Sequence, residues 1–212
     1  MLNFRFEWKR SQKYILIWAT ALAVCIFFMT PVYYGMVETE GTLPAGFAQG
    51  GYFETVGISI ELLTKPMGMY SFLTGFFMIA GGIFGMHLGL SLHTKECTEN
   101  TAEYLYTKPC GRKVIYKEKL LCALAGVCVT GIFYVMASFF TMTLFRPGFP
   151  TGEFLLVAGS FVLLTLFFAL MGTMAGVFRS ENRSPIVTSG VVVVMEYFSN
   201  CFYEPVGHGA VG

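Results

Sequence analysis

Two ionisable side chains stand inside apolar stretches that are long enough to cross a bilayer. Glu196 lies in the stretch 186–202, and His87 lies in the stretch 69–92. An ionisable group at membrane depth is costly and often belongs to a substrate pathway or a proton relay. Glu196 and His87 therefore predict an intramembrane polar site. The alternative for Glu196 is a position near the outer membrane surface, or a polar partner on a neighbouring helix.

The sequence lacks the motifs of common hydrolytic and nucleotide-binding sites. It contains no G-x-x-x-x-G-K-[ST] phosphate loop, no G-x-S-x-G and no H-E-x-x-H. Its six cysteines form no C-x-x-C pair and its three histidines are dispersed, which argues against a metal site and a disulfide framework. We expect neither catalysis nor a bound metal or cofactor in this chain. Any ATP that drives it must bind another polypeptide.

A polar segment, residues 93–120, joins two of the apolar stretches and contains signals for a helix of its own. Asn100 suits a helix N-cap, and Glu103 follows three residues later, as in a capping box. Pro109 and Gly111 then end the helix. We predict a short helix that the two flanking spans hold parallel to the membrane.

This short helix displays acidic side chains beside an apolar Tyr-Leu-Tyr patch at residues 104–106. A simple connection needs no aromatic side chains in solvent. An exposed apolar patch on a short helix instead suits docking into a groove of a soluble partner. The simpler interpretation is that these residues only cap and solvate a connecting loop.

Residues 1–13 carry aromatic and basic side chains in a pattern that favours an amphipathic helix. Arg5, Lys9 and Lys13 share one side at i, i+4 spacing. We expect this segment to lie along the inner membrane surface with its aromatic rings in the interface. The alternative is a basic anchor that only fixes topology. The residues assigned to this interfacial helix are Phe4, Phe6, Glu7, Trp8 and Arg10.

The composition explains what must position these residues. Hydrophobic residues make up 55% of the 212-residue chain and charged residues only 13%, against roughly 25% in soluble domains. The net charge of +1 lacks the excess of Lys and Arg that a nucleic-acid surface needs. The chain therefore reads as an integral membrane protein whose surroundings are lipid.

Five apolar segments are close to or above the roughly 20 residues that a helix needs to cross the hydrocarbon. They are residues 14–33, 69–92, 120–145, 154–178 and 186–202, and the last is the shortest. No segment alternates in the manner of a barrel strand, and lipid excludes open strands. We predict an all-α polytopic bundle in residues 14–212, preceded by the N-terminal helix 1–13.

The basic residues predict the orientation of the bundle. Twelve of the 14 Lys and Arg residues fall in the N-terminal segment, the second connection and the fourth connection. These three regions share one side of a five-span bundle, and that side is the cytoplasm by the positive-inside rule. We therefore expect a multi-pass protein of the cytoplasmic membrane with its N-terminus inside.

Glycines recur every fourth residue in two of the spans. They are Gly81, Gly85 and Gly89 in the second span, and Gly172 and Gly176 in the fourth. Small residues at this spacing let helix backbones approach closely in lipid. The alternative is that glycine is simply frequent in membrane helices.

The segment 96–120 resembles the cytoplasmic loop of ABC-2 type transporter permeases. The family pattern is an acid, then Gly-Thr-x-Glu-x-Leu, then a Pro, an Arg and a Gly-Lys-Leu that enters the next helix. Thr101, Glu103 and Leu105 match this pattern, whereas positions 100 and 118 hold Asn and Glu in place of Gly. The Phe-Glu-Trp-Lys-Arg run at residues 6–10 also resembles the amphipathic connecting helix of that family.

The resemblance implies a transport half that works in an assembly. Two permease subunits, identical or different, associate in the membrane, and each rests its loop helix on a separate ATPase subunit, where ATP and Mg²⁺ bind. The short helix would act as a coupling helix that passes nucleotide-driven closure to the spans. The expected contacts with the ATPase subunit are Glu96, Thr101, Glu103, Tyr104, Leu105, Pro109 and Arg112.

The resemblance favours an exporter whose pathway runs along aromatic-rich faces of the first, second and fifth spans. It does not name the substrate. Family members usually have six spans, so we expect a sixth helix to be missing from this sequence; a true five-span variant is the alternative. Two other functions stay open at this stage: a non-transporting sensor or assembly subunit that holds a cytoplasmic partner, and a proton-coupled carrier that uses Glu196.

Overall fold

The computed structural model describes residues 2–40, 66–98, 112–145, 148–178 and 185–203. The regular structure in these residues is entirely helical. The helices are α1 (Leu2–Glu40), α2 (Pro66–Thr98), α3 (Arg112–Phe145), α4 (Thr151–Phe178) and α5 (Pro185–Tyr203). The predicted all-α polytopic fold is confirmed.

Four of the helices are long and apolar enough to cross a membrane. Their apolar parts are Glu7–Val32, Met67–Thr94, Val114–Phe145 and Thr151–Val177. The fifth helix is 19 residues long, and the side chains described in it form a shorter apolar stretch, Pro185–Met195. At about 1.5 Å per residue the whole of α5 measures about 28 Å, close to the thickness of the hydrocarbon core.

Several helices extend beyond the apolar segments that the sequence defines. α1 passes residue 13 without interruption, so the segment 2–13 forms the first turns of the same helix as span 1. Ser, Gln, Lys and Tyr at residues 11–14 include no Gly or Pro that would break the helix. α2 continues to Thr98 and α3 begins at Arg112, so both helices project past the predicted spans.

Local sequence explains where some of the helices begin. α2 and α5 start at Pro66 and Pro185, and proline suits a first helical position because its missing N–H has no intrahelical partner there. Before α4 the chain turns at Gly148 with φ of 96°, a left-handed conformation that favours glycine. The N–H of Phe154 then donates to the Pro150 carbonyl at 3.1 Å and closes the first turn.

α2 is the central helix of the bundle. It packs most extensively on α4 and next on α5, and it also contacts α3 and α1, while α1 packs mainly on α3. Of the windows that define the four long spans, the α2 window is 61% buried, and each of the others is buried to less than 40%. The outward faces of α1, α3, α4 and α5 are covered with exposed apolar side chains, as a lipid environment requires.

Side-chain contacts define the relative directions of the helices. α1 and α3 run parallel, because Ile15 lies against Gly126 and, further along both helices, the Tyr34 hydroxyl lies 3.6 Å from the Met142 sulfur. α2 runs antiparallel to α3, and α2 and α4 run parallel to each other. The starts of α1 and α3 therefore share one end with the ends of α2 and α4; this is called the basic end here.

The buried apolar residues form two large clusters and a smaller third one around Met86, Phe168 and Val193. The inner cluster, nearer the basic end, is built around Ile15, Phe84, Leu88 and Val127. The outer cluster lies towards the opposite end and includes the aromatic side chains of Tyr70, Tyr134, Phe154 and Phe161. Most buried Ser and Thr hydroxyls donate to carbonyls of the preceding turn, for example Ser138 to Tyr134 at 2.7 Å, whereas the hydroxyls of Ser11 and Thr130 have no hydrogen-bond partner among the described residues.

Candidate functional site at the basic end

The ends of α2 and α3 are joined by an aromatic contact at the basic end. The rings of His93 and Tyr116 lie 5.4 Å apart, and His93 Nδ1 lies 3.2 Å from the Gly89 carbonyl oxygen. The 13 residues between Thr98 and Arg112 therefore connect two antiparallel helices whose projecting ends are held together. This connection carries most of the residues that resemble a coupling helix.

The first turns of α1 have two distinct faces. Arg5, Lys9 and Lys13 are exposed, as their i, i+4 spacing predicts. On the other face Glu7 is only 8% exposed and Ser11 only 2%. The exposed basic face suits lipid phosphates or other anions at the membrane surface, whereas the buried face belongs to the protein interior.

The aromatic residues of these turns contact the protein as well as the surroundings. The Phe4 and Trp8 rings stack at 6.2 Å, and both side chains are partly buried against the inner cluster. We expected these rings to lie in the membrane interface, and the structure gives them a protein contact in addition. Arg10 is half-buried with an interaction partner, and the Phe6 side chain lies outside the described residues.

The first turns of α3 bring a second buried charge to the basic end. Lys119 is only 4% exposed and lies on the same helix face as Ile115 and Cys122, which are also buried. Glu118 is half-buried, and both Glu118 and Lys119 have interaction partners. A buried cation between apolar neighbours requires a compensating negative charge or hydrogen bonds.

His87 lies at the contact between α1 and α2. Its ring is 4.7 Å from the ring of Tyr14, and the Tyr14 ring stacks on Phe84 at 5.8 Å. Trp18 completes this group, 5.8 Å from Phe84. Since Tyr14 lies early in α1, His87 sits nearer the basic end than the middle of its span. The structure therefore places His87 in an aromatic helix–helix contact.

The three α2 glycines face α4, and two of them, Gly85 and Gly89, lie directly against its backbone. A side-chain carbon on Gly81 would lie 2.6 Å from the Phe161 ring, and one on Gly85 would collide with the carbonyl oxygen of Thr165. At Gly89 the same carbon would collide with the carbonyl of Ala169. Only glycine lets α2 approach α4 this closely.

The two α4 glycines complete the contact from the other side. A side-chain carbon on Gly172 would collide with the Met86 carbonyl, and one on Gly176 would lie 2.8 Å from the His93 side chain. All five glycines that the sequence analysis singled out thus lie in one seam between α2 and α4. We call this contact the glycine seam.

The described residues contain no group of three or more His, Cys, Asp or Glu side chains that could hold a metal ion. Among them Cys25, Cys122 and Cys128 are free thiols, of which Cys122 is buried and the other two are exposed. These cysteines lie on apolar helices and behave as small hydrophobic side chains.

Comparison with protein families decides the identity of the bundle. The family model described as ABC-2 family transporter protein matches residues 4–210, nearly the whole chain. The chain belongs to the ABC-2 transporter family. This confirms the resemblance drawn from the second connection. Comparison with curated proteins and with solved structures gave no significant match.

Members of the ABC-2 family are membrane permeases of ABC transporters, and such permeases typically lack an ATPase of their own. The four long apolar helices agree with a permease that sits in a membrane. The family match covers the N-terminal turns, the second connection and all five helices. The chain is therefore a transport subunit.

Most of the predicted ATPase contacts lie outside the described residues. Thr101, Glu103, Tyr104, Leu105 and Pro109 belong to the connection between α2 and α3, of which the structure describes only the flanking helices. Glu96 lies in the last turn of α2 and Arg112 is the first residue of α3, but neither side chain is described. Their role stays a prediction.

Glu196 belongs to α5 of this ABC-2 permease, but its side chain is also outside the described residues. It directly follows Met195, the last residue of α5 whose side chain is described. α5 packs on α2 where Val193 contacts Gly82. The predicted role of Glu196 in an intramembrane polar site stays untested by this geometry.

Sequence reasoning missed two features of this ABC-2 permease. One is the hydroxyl contact between Tyr134 and Thr74, at 3.2 Å, in the outer half of the bundle. The other is the burial of Lys119. For Lys119 the signal is present, because its spacing from Ile115 and Cys122 places all three on one helical face. For Tyr134 the sequence offers no such signal.

Proposed function

We propose that this ABC-2 permease is the membrane subunit of an ATP-driven exporter, and that residues 99–111 dock on a separate ATPase subunit. Two permease subunits and two ATPase subunits would form the assembly. Family membership supports the transport role. The sequence supports a separate ATPase, because it contains no phosphate loop of the G-x-x-x-x-G-K-[ST] type.

The observation that carries the coupling proposal is the pair of projecting helices at the basic end. α2 extends to Thr98 and α3 begins at Arg112, and the contact between His93 and Tyr116 joins them just inside the connection. A connection held by two helices transmits a displacement into the bundle better than one on a flexible tether. Acidic and apolar residues at 96–106 are of the types that suit docking into a groove of a partner.

The position of α2 determines where such a displacement would go. α2 is the central helix, and the glycine seam joins its backbone directly to the backbone of α4. Packed interiors transmit strain because they have few voids. A force on residues 99–111 would therefore move α2 and α4 together, relative to the α1–α3 pair.

Purification of the full-length protein from its native membrane in mild detergent tests the proposal. We expect an ATPase with a phosphate loop to co-purify in equal amount, with an assembly mass of two copies of each chain. The double variant Glu103→Ala/Leu105→Lys should lose the ATPase while the permease remains folded. Glu153→Ala is the matched control, because Glu153 is an exposed acid in the first turn of α4, at the opposite end of the bundle.

Two results would contradict the proposal. If the permease purifies alone or with a partner that binds no nucleotide, the result favours the sensor or assembly function. If transport proceeds without ATPase and stops in a Glu196→Gln variant, the chain works as a proton-coupled carrier. Retained transport in Glu196→Gln excludes that carrier mechanism.

Inside-out membrane vesicles test the direction of transport. An apolar fluorescent dye is a suitable first probe, because the bundle is rich in Phe and Met. We expect ATP added outside such vesicles to drive dye into them. ATP-dependent loss of preloaded dye would instead show import.

A further inference from the structure

The buried face of α1 continues without interruption into its polar N-terminal turns. Buried residues recur every three or four positions along the helix and form one stripe: Glu7, Ser11, Ile15, Ala19, Leu22, Ile26, Thr30 and Tyr34. This is the spacing of one helical face. Glu7 is therefore turned towards the same neighbour as Ile15, although it lies in the basic segment that precedes span 1.

α3 has a matching stripe that also begins with a charge. Its buried residues include Ile115, Lys119, Cys122, Val127, Thr130, Tyr134, Ser138 and Met142. Gly126 lies in this stripe and receives the Ile15 side chain of α1, within 3.0 Å of where its own side-chain carbon would be. The two stripes face each other, because α3 is the main partner of α1.

The register of the two helices puts Glu7 and Lys119 at the same level. α1 and α3 are parallel and meet at Ile15 and Gly126. Glu7 precedes Ile15 by eight residues, about 12 Å along the axis, and Lys119 precedes Gly126 by seven, about 10.5 Å. The two opposite charges are therefore level to within about one residue on facing stripes.

Both charges are buried, so each would be energetically costly without a compensating partner. Glu7 is 8% exposed and Lys119 is 4% exposed, and both have interaction partners. A buried charge without compensation is expensive, whereas a paired and hydrogen-bonded one is tolerated. Arg10 follows Glu7 by one turn and Glu118 precedes Lys119, so the surroundings of the pair contain further charges of both signs.

We propose that Glu7 and Lys119 form a buried ion pair that joins the start of α1 to the start of α3. Because α3 begins directly after residues 99–111, the pair would also link the movement of that connection to α1. This second clause rests on the proposed function. Glu7 and Lys119 are in this sense positioning residues for coupling.

A double-mutant cycle on the purified full-length chain tests the pair. Glu7→Gln or Lys119→Met alone leaves one buried charge without its partner, and we expect each to lower the melting temperature by about 6 to 20 °C. The double variant removes both charges, and its melting temperature should recover most of that loss. Lys9→Met is the control, because Lys9 is exposed on the other face of α1 and should change little.

The charge exchange Glu7→Lys/Lys119→Glu is the second test. The exchanged pair should be more stable than either single variant, Glu7→Lys or Lys119→Glu. Additive losses in both cycles would overturn the ion pair. If the charge-reversal variants fail to fold, the double-mutant cycle with Gln and Met still tests the ion pair, because it introduces no new charge.

The proposed coupling role of the pair needs a measurement that does not depend on the stability of the protein alone. In an assembly that retains its ATPase, a cysteine introduced by Lys9→Cys should react with a thiol reagent at a different rate when vanadate and ATP trap the ATPase in its closed state. We expect the change to disappear in the Glu7→Gln/Lys119→Met background while the ATPase stays bound. A response that persists there overturns the link. Absence of any ATPase would instead contradict the proposed function, and the melting cycle would still test the pair.

Discussion

Tyr134 shows how one buried residue can organise the outer half of a membrane bundle. Its ring stacks on Phe161 with centroids 3.9 Å apart, and its hydroxyl donates to the Thr74 hydroxyl at 3.2 Å. Tyr134 belongs to α3 and is fully buried against α2 and α4. A polar atom that is buried away from water is costly unless it has such a partner.

Removal of the Tyr134 hydroxyl should weaken the bundle modestly. We expect Tyr134→Phe to keep the ring stack and lower the free energy of unfolding by about 0.5 to 1.5 kcal/mol. Thr74→Val should lose the same interaction, so the double variant should cost less than the sum of the two. Melting in detergent measures all three.

Tyr116→Phe is the matched control, because Tyr116 is 37% exposed and its hydroxyl keeps access to the surroundings. It should leave the melting temperature nearly unchanged. Strictly additive effects of Tyr134→Phe and Thr74→Val would rule out an energetic coupling between the two hydroxyls.

At the level of single residues the sequence reveals only part of the site. It identifies Lys9 and Lys13 as one exposed face, because charged side chains avoid lipid. It does not reveal that Tyr134 is buried and Phe140 exposed. In a membrane both faces of a helix are apolar, so the contrast that orients a helix in a soluble protein is missing. His87 illustrates the same limit, since its aromatic neighbours come from another helix.

At the level of helices, glycine spacing is the informative pattern. The i, i+4 repeat in span 2 and the pair in span 4 suggest close helix contacts, and the structure joins them in the glycine seam. Which two helices meet there is not contained in the spacing itself. The helix ends are also harder to predict, because α2 and α3 continue as polar helices past the apolar segments that define their spans.

Substitution at the centre of the glycine seam should be much more damaging than an equal change elsewhere. In Gly85→Ala the new methyl group meets the Thr165 carbonyl, so α2 and α4 must separate. We expect a loss of about 1 to 3 kcal/mol in unfolding free energy, which corresponds to a fall in melting temperature of about 2 to 12 °C.

Gly159→Ala on α4 provides the control for this prediction. Nothing lies within 4 Å of the position that its side-chain carbon would take. Alanine has the higher helix propensity, so this change should be neutral or slightly stabilising. Equal effects of the two substitutions on the unfolding free energy would mean that close packing at the glycine seam adds no stability.

At the level of the whole molecule, the bundle divides into two packing groups. α1 and α3 form one pair, and α2, α4 and α5 form the other, with the inner and outer clusters between them. The first group carries the buried charges Glu7 and Lys119, and the second carries the glycine seam. A transport cycle that moves one group against the other would leave both contacts intact.

The orientation predicted from the basic residues can be tested on intact cells. In a chain whose native cysteines are replaced, Lys9→Cys should react with a membrane-impermeant maleimide only after permeabilisation. Glu153→Cys, at an exposed position in the first turn of α4, should react from outside without it. The reverse pattern would place the N-terminus outside, away from any cytoplasmic ATPase.

The glycine seam also has a consequence for how the chain is made. Gly85 and Thr165 are 80 residues apart, so at about 5 to 20 residues per second the ribosome needs about 4 to 16 s to supply the partner of α2. α2 is the least hydrophobic of the four long spans, and during this interval its glycine face has no neighbour. Newly inserted α2 would therefore wait beside the insertion machinery, and a pause in translation before α4 would expose the chain to membrane quality-control proteases.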